Sequence, residues 1–228
     1  MLMPKYLVVF DRDGTLHRDM GPIGATPGWE KGLALFPYTV EAVATVYAVP
    51  GTVIGVASNQ GYVAQGIVTE EQVRAANDRL RTLLENAEAS LPHDQTCVIP
   101  RGHWAFCPEV TEEYAAQHGI LPETYLYDHY VVKEAPRRKP GIGMLRQIAR
   151  AVGMRLEDFS ERFVVGDRAT DVMTGLNAGG IGVFLMDTIH EEEIGKVEAL
   201  MTSENERMII LADDTLDAAK RIAERLNR

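Results

Sequence analysis

The chain has 228 residues, 46% hydrophobic and 25% charged, with a formal net charge of -10. This length and balance fit a folded α/β protein carrying insertions and exclude disordered and fibrous classes. The acidic balance excludes an extensive nucleic-acid footprint, which needs many Lys and Arg, and no run approaches the roughly 20 apolar residues that cross a bilayer. Met1–Tyr6 lacks the layout of a signal peptide, so a cytoplasmic address is expected. Two cysteines, Cys97 and Cys107, make no disulfide framework.

Tyr6–Phe10 is a short continuous apolar run ending in charged residues, the pattern of a strand buried on both faces of a parallel sheet. At its carboxyl end, where open α/β sheets bind ligands, stands Asp11-Arg12-Asp13-Gly14-Thr15-Leu16. Carboxylates at i and i+2 point to the same side while extended geometry persists, and Gly14 permits a sharp exit and a close backbone approach to a phosphate. One carboxylate can attack phosphorus while the other protonates the leaving oxygen and then activates water. The plainer alternative is an Asp-Gly turn after a strand.

Tyr38–Val49 has helical spacing and Thr52–Ala57 repeats the buried-strand pattern. Ser58-Asn59-Gln60-Gly61 follows, with a hydroxyl and amides suited to phosphoryl oxygens or simply to a polar loop. Thr69 with Gln72 resembles a capping box opening a helix over Glu70–Ala89. Ser90–Pro136 has no clean period and reads as an irregular insertion with a short helix near Thr111–His118. It carries His103, Trp104, Phe106, Tyr125, Tyr127, His129 and Tyr130. An insertion long enough to fold over the sheet edge can exclude water and contact the leaving group, with Trp104 and Arg101 as its exposed members. Otherwise these aromatics pack it onto the core.

Arg137-Arg138-Lys139-Pro140-Gly141 precedes the helical Gly143–Val152, and Lys139 can neutralise both a nucleophile and a transferring phosphoryl group, although basic clusters are usually solvated surface. After the strand Phe163–Val165 comes Gly166-Asp167-Arg168-Ala169-Thr170-Asp171. Carboxylates converging on one sheet edge suit Mg2+, which wants hard oxygen ligands, while Asp171 also reads as a helix N-terminal charge. Ile181–Leu185 and Met208–Ala212 are two further strands and Leu216–Leu226 a closing helix. The expected fold class is α/β: a Rossmann-like parallel sheet with helices on both faces, in one domain over residues 1–228 with an insertion at about 90–136 and no large cap.

Together the four strand-end motifs resemble those of the haloacid dehalogenase (HAD) superfamily. The resemblance implies Asp11 as nucleophile, Asp13 as general acid/base, and Ser58 and Lys139 as phosphate binders. It also implies a Mg2+ site of Asp11, Asp13 through its carbonyl, Asp167 and Asp171. Gly14, Thr15, Asn59, Gln60 and Arg138 are the further substrate contacts expected. Asp-Arg-Asp-Gly-Thr-Leu, Ser-Asn-Gln-Gly-Tyr-Val-Ala-Gln-Gly and Arg-Lys-Pro-Gly are most similar to histidinol-phosphate and heptose bisphosphate phosphatases, which close their sites with loops. The expected partner is a small phosphorylated metabolite, and the expected state a monomer, with a dimer as alternative.

Two departures accompany the resemblance. Relatives carry a zinc loop of Cys-Pro-His and a later Cys-x-Cys, but here Cys107-Pro108 runs into Glu109 and the later pair falls on Ala135 and Arg137. Structural zinc is therefore not expected, Cys97 and His103 being the remaining candidate ligands. Gln65 stands where close relatives carry Arg, which implies a different head group; His17 and Arg18 are further candidates for substrate contact. The competing functions are a polynucleotide 3′-phosphatase, with Lys133, Arg137 and Arg138 as a basic groove, and a non-catalytic phospholigand-binding protein.

Overall fold

A computed structural model of the chain describes residues 4–88, 99–187 and 189–228. Ala89, the expected end of the second helix, the start of the insertion at Ser90, and Cys97 lie outside the described residues.

β1 (Tyr6–Phe10) leads through a long loop to α1 (Thr39–Tyr47), β2 (Thr52–Asn59) and α2 (Glu70–Glu88). β3 (Trp104–Cys107), β4 (Val110–Thr111), α3 (Glu112–Gln117), α4 (Tyr125–Tyr130) and β5 (Val131–Val132) follow. The chain continues through α5 (Gly143–Ala151), β6 (Glu161–Gly166), α6 (Ala169–Asn177), β7 (Ile181–Leu185), α7 (Glu191–Leu200), β8 (Ile209–Ala212) and α8 (Thr215–Leu226). Six strands form one parallel sheet in the order β3-β2-β1-β6-β7-β8. Phe10 lies opposite Val56 on one side and Val165 on the other. The chain thus runs outward in one direction from β1 to β3 and resumes at β6 on the other side. The crevice between the carboxyl ends of β1 and β6 is the topological switch point, where open α/β sheets bind ligands.

Continuous apolar strands are explained by burial on two faces. Val8 and Phe10 pack with Val43, Leu80 and Ile222 from α1, α2 and α8. Leu7 and Val9 pack on the opposite face with Met144, Leu145 and Ile148 of α5. Each fully buried side chain of this size contributes about 1.5–3 kcal/mol, which holds the strand ends, and the residues just past them, in place. The capping box opening α2 is formed: Gln72 Oε1 accepts from Thr69 N at 2.7 Å, and Thr69 Oγ1 accepts from Gln72 N at 3.2 Å.

The insertion is more ordered than its lack of period implied. Its apolar Trp-Ala-Phe-Cys stretch is β3, an edge strand of the main sheet that pairs Val56 with Trp104 and Asn59 with Cys107. Four residues are too few to display a strand period against helical and turn signals on either side. The expected helix near Thr111–His118 is α3, opened by Thr111, whose hydroxyl accepts from Tyr114 N at 3.2 Å. Thr124 opens α4 in the same way. Trp104 is buried, with its indole N–H donating to Ile99 O, and Arg101 pairs with Asp78 of α2. Trp104 is thus not exposed as expected, Arg101 is, and neither lines the cavity described below. Among the described residues no helix is long and apolar enough to cross a membrane.

α5 reaches the sheet at Gly55, where an added Cβ would come within 2.8 Å of both Cγ2 and Cδ1 of Ile148. Ile148→Ala is expected to cost about 2–5 kcal/mol through the cavity it leaves. Gly55→Ala should be destabilising alone but much less so in the Ile148→Ala background. Urea unfolding of the two single variants and the double variant measures this coupling, and strictly additive values would refute the contact.

Candidate active site

Asp11 begins where β1 ends, and its N–H still donates to Val165 O at 2.7 Å, extending the β1–β6 ladder by one residue. The chain then turns at Gly14, whose φ is +81°. A Cβ there would sit 2.2 Å from Asp167 Oδ2, so both the turn and the nearby carboxylate demand glycine. Gly166, ending β6, is constrained likewise: a Cβ would lie 2.2 Å from Asp171 Cγ. Two glycines therefore allow the loops after β1 and β6 to press together.

Asp11, Asp167 and Asp171 are all buried, and each brings a carboxylate oxygen within 4.8 Å of the others. Lys139 enters from the loop before α5, with its buried ammonium donating to Asp11 Oδ1 and, at 2.5 Å, to Asp171 Oδ1. Asp171 serves twice, because its other oxygen accepts the Arg168 N–H at 3.2 Å and so caps α6. Burial pushes Asp11 up to about 7 despite the pull of Lys139, with Asp171 and Asp13 adding repulsion. Burial, then the charges of Asp11 and Asp171, push Asp167 up to about 8. Lys139 would lose its proton to burial, but Asp11 and Asp171 hold its affinity above the ordinary range. Three carboxylates against one ammonium form a site that a hard divalent cation fits.

Asp13 has a separate set of partners. Its carboxylate accepts from Arg12 Nε and Nη2 at 3.0 Å each, from Ser58 Oγ at 3.0 Å and from Gln60 Nε2 at 2.9 Å. Arg12 is itself fully enclosed and donates onward to Asn77 Oδ1 of α2 at 2.9 Å. His17 is buried with Nδ1 facing Arg18 O at 2.7 Å, which leaves Nε2 as the nitrogen 3.2 Å from Asp13 Oδ1. Burial alone would favour the neutral acid, yet Arg12 and His17 hold Asp13 well below the usual carboxylate range. The Asp13 carboxylate lies outside the three-carboxylate cluster, so only its backbone carbonyl remains as its expected metal contact.

β2 runs two residues past the expected Ala57, and its alternation separates the next two side chains. Ser58 turns to Asp13, whereas Asn59 pairs with the backbone of Lys139: Asn59 Oδ1 accepts from Lys139 N at 2.9 Å and Asn59 Nδ2 donates to Lys139 O at 3.1 Å. Asn59 thus positions the lysine loop. Ser58, Asn59, Gln60, Arg138 and Lys139 line one cavity of about 470 Å³ with Asp11, Asp13 and Asp171. Gly14 and Thr15 do not line it; Thr15 is fully buried and its carbonyl accepts from Thr215 Oγ1 of α8 at 2.7 Å. Lining residues not expected from sequence include Tyr114 and His118 from the insertion, and Arg168, which contacts Asp19 at 3.3 Å and His190 at 2.7 Å. The basic residue after Asp167 was the available signal for Arg168. Nothing in the sequence marks Tyr114 apart from its place in α3.

Where relatives carry a zinc loop, Cys107 Sγ lies 2.9 Å from Glu109 Oε2 and Glu109 Oε1 accepts from Arg137 at 3.1 Å. Arg137 also donates to Phe106 O at 2.9 Å. Burial, with Glu109, pushes the Cys107 thiol up to about 12, unlike a metal-binding thiolate. His103 Nδ1 bonds Ile54 O instead.

A family model described as HAD-hydrolase-like matches residues 136–213. The D-glycero-D-manno-heptose-1,7-bisphosphate 7-phosphatase of Chlorobaculum tepidum is 30% identical over 191 residues, covering 82% of this chain and 81% of that protein. The enzyme of the same name from Thermosynechococcus vestitus is 30% identical over 183 residues, covering 80% of each. In fold the chain is similar to the D,D-heptose 1,7-bisphosphate phosphatase from B. bronchiseptica, whose crystal structure is a complex with magnesium and phosphate. The TM-score is 0.64 at 18% identity, covering 96% of this chain and 98% of the other. A site at the switch point between β1 and β6, four motifs converging on it, and relatives spanning four-fifths of the chain lead to one conclusion: the protein belongs to the phosphatases of the HAD superfamily, in the group of the heptose bisphosphate and histidinol-phosphate phosphatases.

Proposed function

We propose that the protein is a magnesium-dependent phosphomonoesterase for a small phosphorylated metabolite of the sugar phosphate or histidinol phosphate type, acting through a phosphoryl group carried on Asp11. The observation that carries this reading is the contrast between two carboxylates of one loop. Asp11 sits with Lys139, Asp167 and Asp171 at the cavity floor, while Asp13 sits under three donor side chains, Arg12, Ser58 and Gln60, beside it. Two titratable groups pushed apart by their surroundings are the usual mark of divided roles.

Lys139 occupies one oxygen of Asp11 and orients the other toward an incoming phosphorus. Attack forms the Asp11–phosphorus bond and breaks the bond to the leaving oxygen. Asp11, Asp167, Asp171 and the Asp13 carbonyl are the groups that would hold Mg2+, which supplies charge neutralisation for the transferring phosphoryl group. Ser58 Oγ and Gln60 Nε2, now on Asp13, can pass to phosphoryl oxygens when substrate enters. Their departure, with the negative charge of the phosphate, makes Asp13 easier to protonate, so that it can donate to the leaving oxygen. As carboxylate it then takes the proton of the water that attacks phosphorus and frees Asp11.

A cavity of about 470 Å³ suits a small metabolite, and the names of the relatives favour a sugar phosphate. The polynucleotide reading is less well supported: Arg137 is tied to Glu109, Lys133 does not line the cavity, and Arg138 alone of the three faces it. The same reading has the enzyme working as a monomer in the cytoplasm.

Asp11→Asn should fold with an unchanged urea midpoint and lose on the order of 10³-fold or more of its turnover of p-nitrophenyl phosphate. A variant keeping a tenth of wild-type turnover would remove Asp11 from this role. Chelation should abolish turnover and Mg2+ restore it. The pH dependence has a definite sign: Asp11 and Asp167 are raised from 3.8 to about 7 and about 8. Their contribution to the stability of the metal-free protein is therefore full below about pH 4 and lost as pH rises through about 8. Because Mg2+ takes the ionised carboxylates, the Tm gain on adding it should be larger at about pH 9 than at about pH 6. An equal or reversed gain would place the cation elsewhere.

A further inference from the structure

α7 carries an acidic residue on the face that it buries. Glu193, Val197 and Leu200 stand at i, i+4 and i+7, the spacing of one side of a helix. Val197, with Leu200 against it, packs with Ala169 and Val172 of α6, Phe184 of β7 and Ile209 of β8 in a small apolar cluster. Glu193 continues that face as a carboxylate only 6% exposed. Burying a carboxylate is costly unless it is paired and hydrogen-bonded, and here both oxygens are met: Oε2 accepts from Ala169 N at 2.8 Å and Oε1 from Lys196 Nζ at 2.5 Å. The Lys196 side chain is itself mostly exposed, and an exposed ion pair gives little reason to bury an acid. Burial would raise the proton affinity of Glu193, but Lys196 and the Ala169 N–H hold it below the usual carboxylate range.

The Ala169 N–H is the first of α6, one of the donors that have no partner within their own helix. It lies between two members of the three-carboxylate cluster, Asp167 two positions before it and Asp171 two after. The preceding N–H, of Arg168, goes to Asp171 Oδ2 at 3.2 Å. The start of α7 also meets the Arg168 side chain: its Nη2 lies 2.7 Å from His190 Nε2, and Glu193 N donates to His190 O at 2.9 Å. α7 therefore grips the segment between the two acids both by its backbone and by a side chain. Glu193 lines the cavity but stands outside the cluster of Asp11, Asp167 and Asp171, with both of its oxygens engaged.

That cluster sets three carboxylates against the single ammonium of Lys139, so Asp11 and Asp171 repel Asp167 in the cation-free protein. Groups behind the ligands that hold them in place beforehand are what such a site needs to bind its cation tightly.

We propose that Glu193 is a positioning residue for the magnesium site, which fixes the segment from Asp167 to Asp171 through the Ala169 N–H before the cation arrives, without being a ligand itself. This rests on the reading above only for placing Mg2+ among Asp11, Asp167 and Asp171.

Mg2+ binding is measured by calorimetry on the cation-free protein and by the gain in Tm, neither of which depends on turnover. Glu193→Ala should weaken Mg2+ about tenfold or more. Glu193→Gln, which loses the charge but keeps an oxygen for the Ala169 N–H, should weaken it less than about threefold. If Glu193→Ala does not fold, Glu193→Met takes its place, with similar length to Gln and no acceptor for the N–H. Val197→Ala loosens the same face of α7 without touching that hydrogen bond; it should lower the urea midpoint but weaken Mg2+ less than about threefold. The proposal is overturned if the variant lacking the acceptor binds Mg2+ as the wild type does, if Glu193→Gln is equally weak, or if Val197→Ala weakens Mg2+ as much. A wild-type protein that takes up no Mg2+ would overturn the magnesium reading and this proposal together, whereas equal binding by the wild type and every variant overturns this proposal alone.

Discussion

The buried ammonium of Lys139 joins Asp11, from the loop after β1, to Asp171, from the first turn of α6. Removing the cation of a buried ion pair leaves an uncompensated charge and costs about 3–5 kcal/mol. Here the consequence would be larger in kind, because a third carboxylate, Asp167, stands beside the pair. Much of the local architecture serves to deliver that ammonium. The Asn59 amide grips the backbone of Lys139 on both its N–H and its carbonyl, and Asn177 at the end of α6 donates to Pro140 O at 3.0 Å. Gly14 and Gly166 remove the Cβ atoms that would keep Asp167 and Asp171 away.

Crowding like charges is destabilising for a folded chain, and active sites are where such arrangements concentrate. The excess of carboxylate over ammonium gives the floor of the cavity a negative charge that a hard divalent cation would balance. The Asp13 carboxylate lies outside the three-carboxylate cluster and is enclosed by Arg12, Ser58 and Gln60. Arg12 in turn is fixed by Asn77 on α2, so a helix far along the chain sets the environment of the second carboxylate. The two acids of a single loop therefore have opposite electrostatic surroundings.

The insertion contributes in a different way. β3 extends the main sheet by an edge strand, and the hydrogen-bonded group of Cys107, Glu109 and Arg137 closes the loop that follows it. That closure holds the start of α3 close to the cavity, and α3 supplies Tyr114 and His118 to the wall. Loops mounted on a rigid sheet edge are well placed to vary specificity while the floor stays constant.

What the sequence determined by itself is the chemistry of the floor and the fold that carries it. Apolar runs at Tyr6–Phe10, Thr52–Ala57 and Phe163–Val165 are buried on both faces, and such strands are legible because burial on two faces leaves no polar alternation. Each is followed at once by its motif, so Asp11, Asp13, Ser58 and Asp167 could be placed at one sheet edge from order alone. Tertiary structure decided what each side chain faces. Asn59 and Ser58 are neighbours in sequence, but strand alternation sends one to the Lys139 backbone and the other to Asp13. Thr15, inside the most recognisable motif, is turned away from the cavity into the core against Thr215, 200 positions along the chain. Trp104, the most conspicuous aromatic of the insertion, is buried on β3, while the unremarkable Tyr114 reaches the cavity. The reason is physical: local pattern reports which residues are buried and with what period, but the direction of a side chain depends on partners distant in sequence, and those are assembled only when the sheet and its loops pack together.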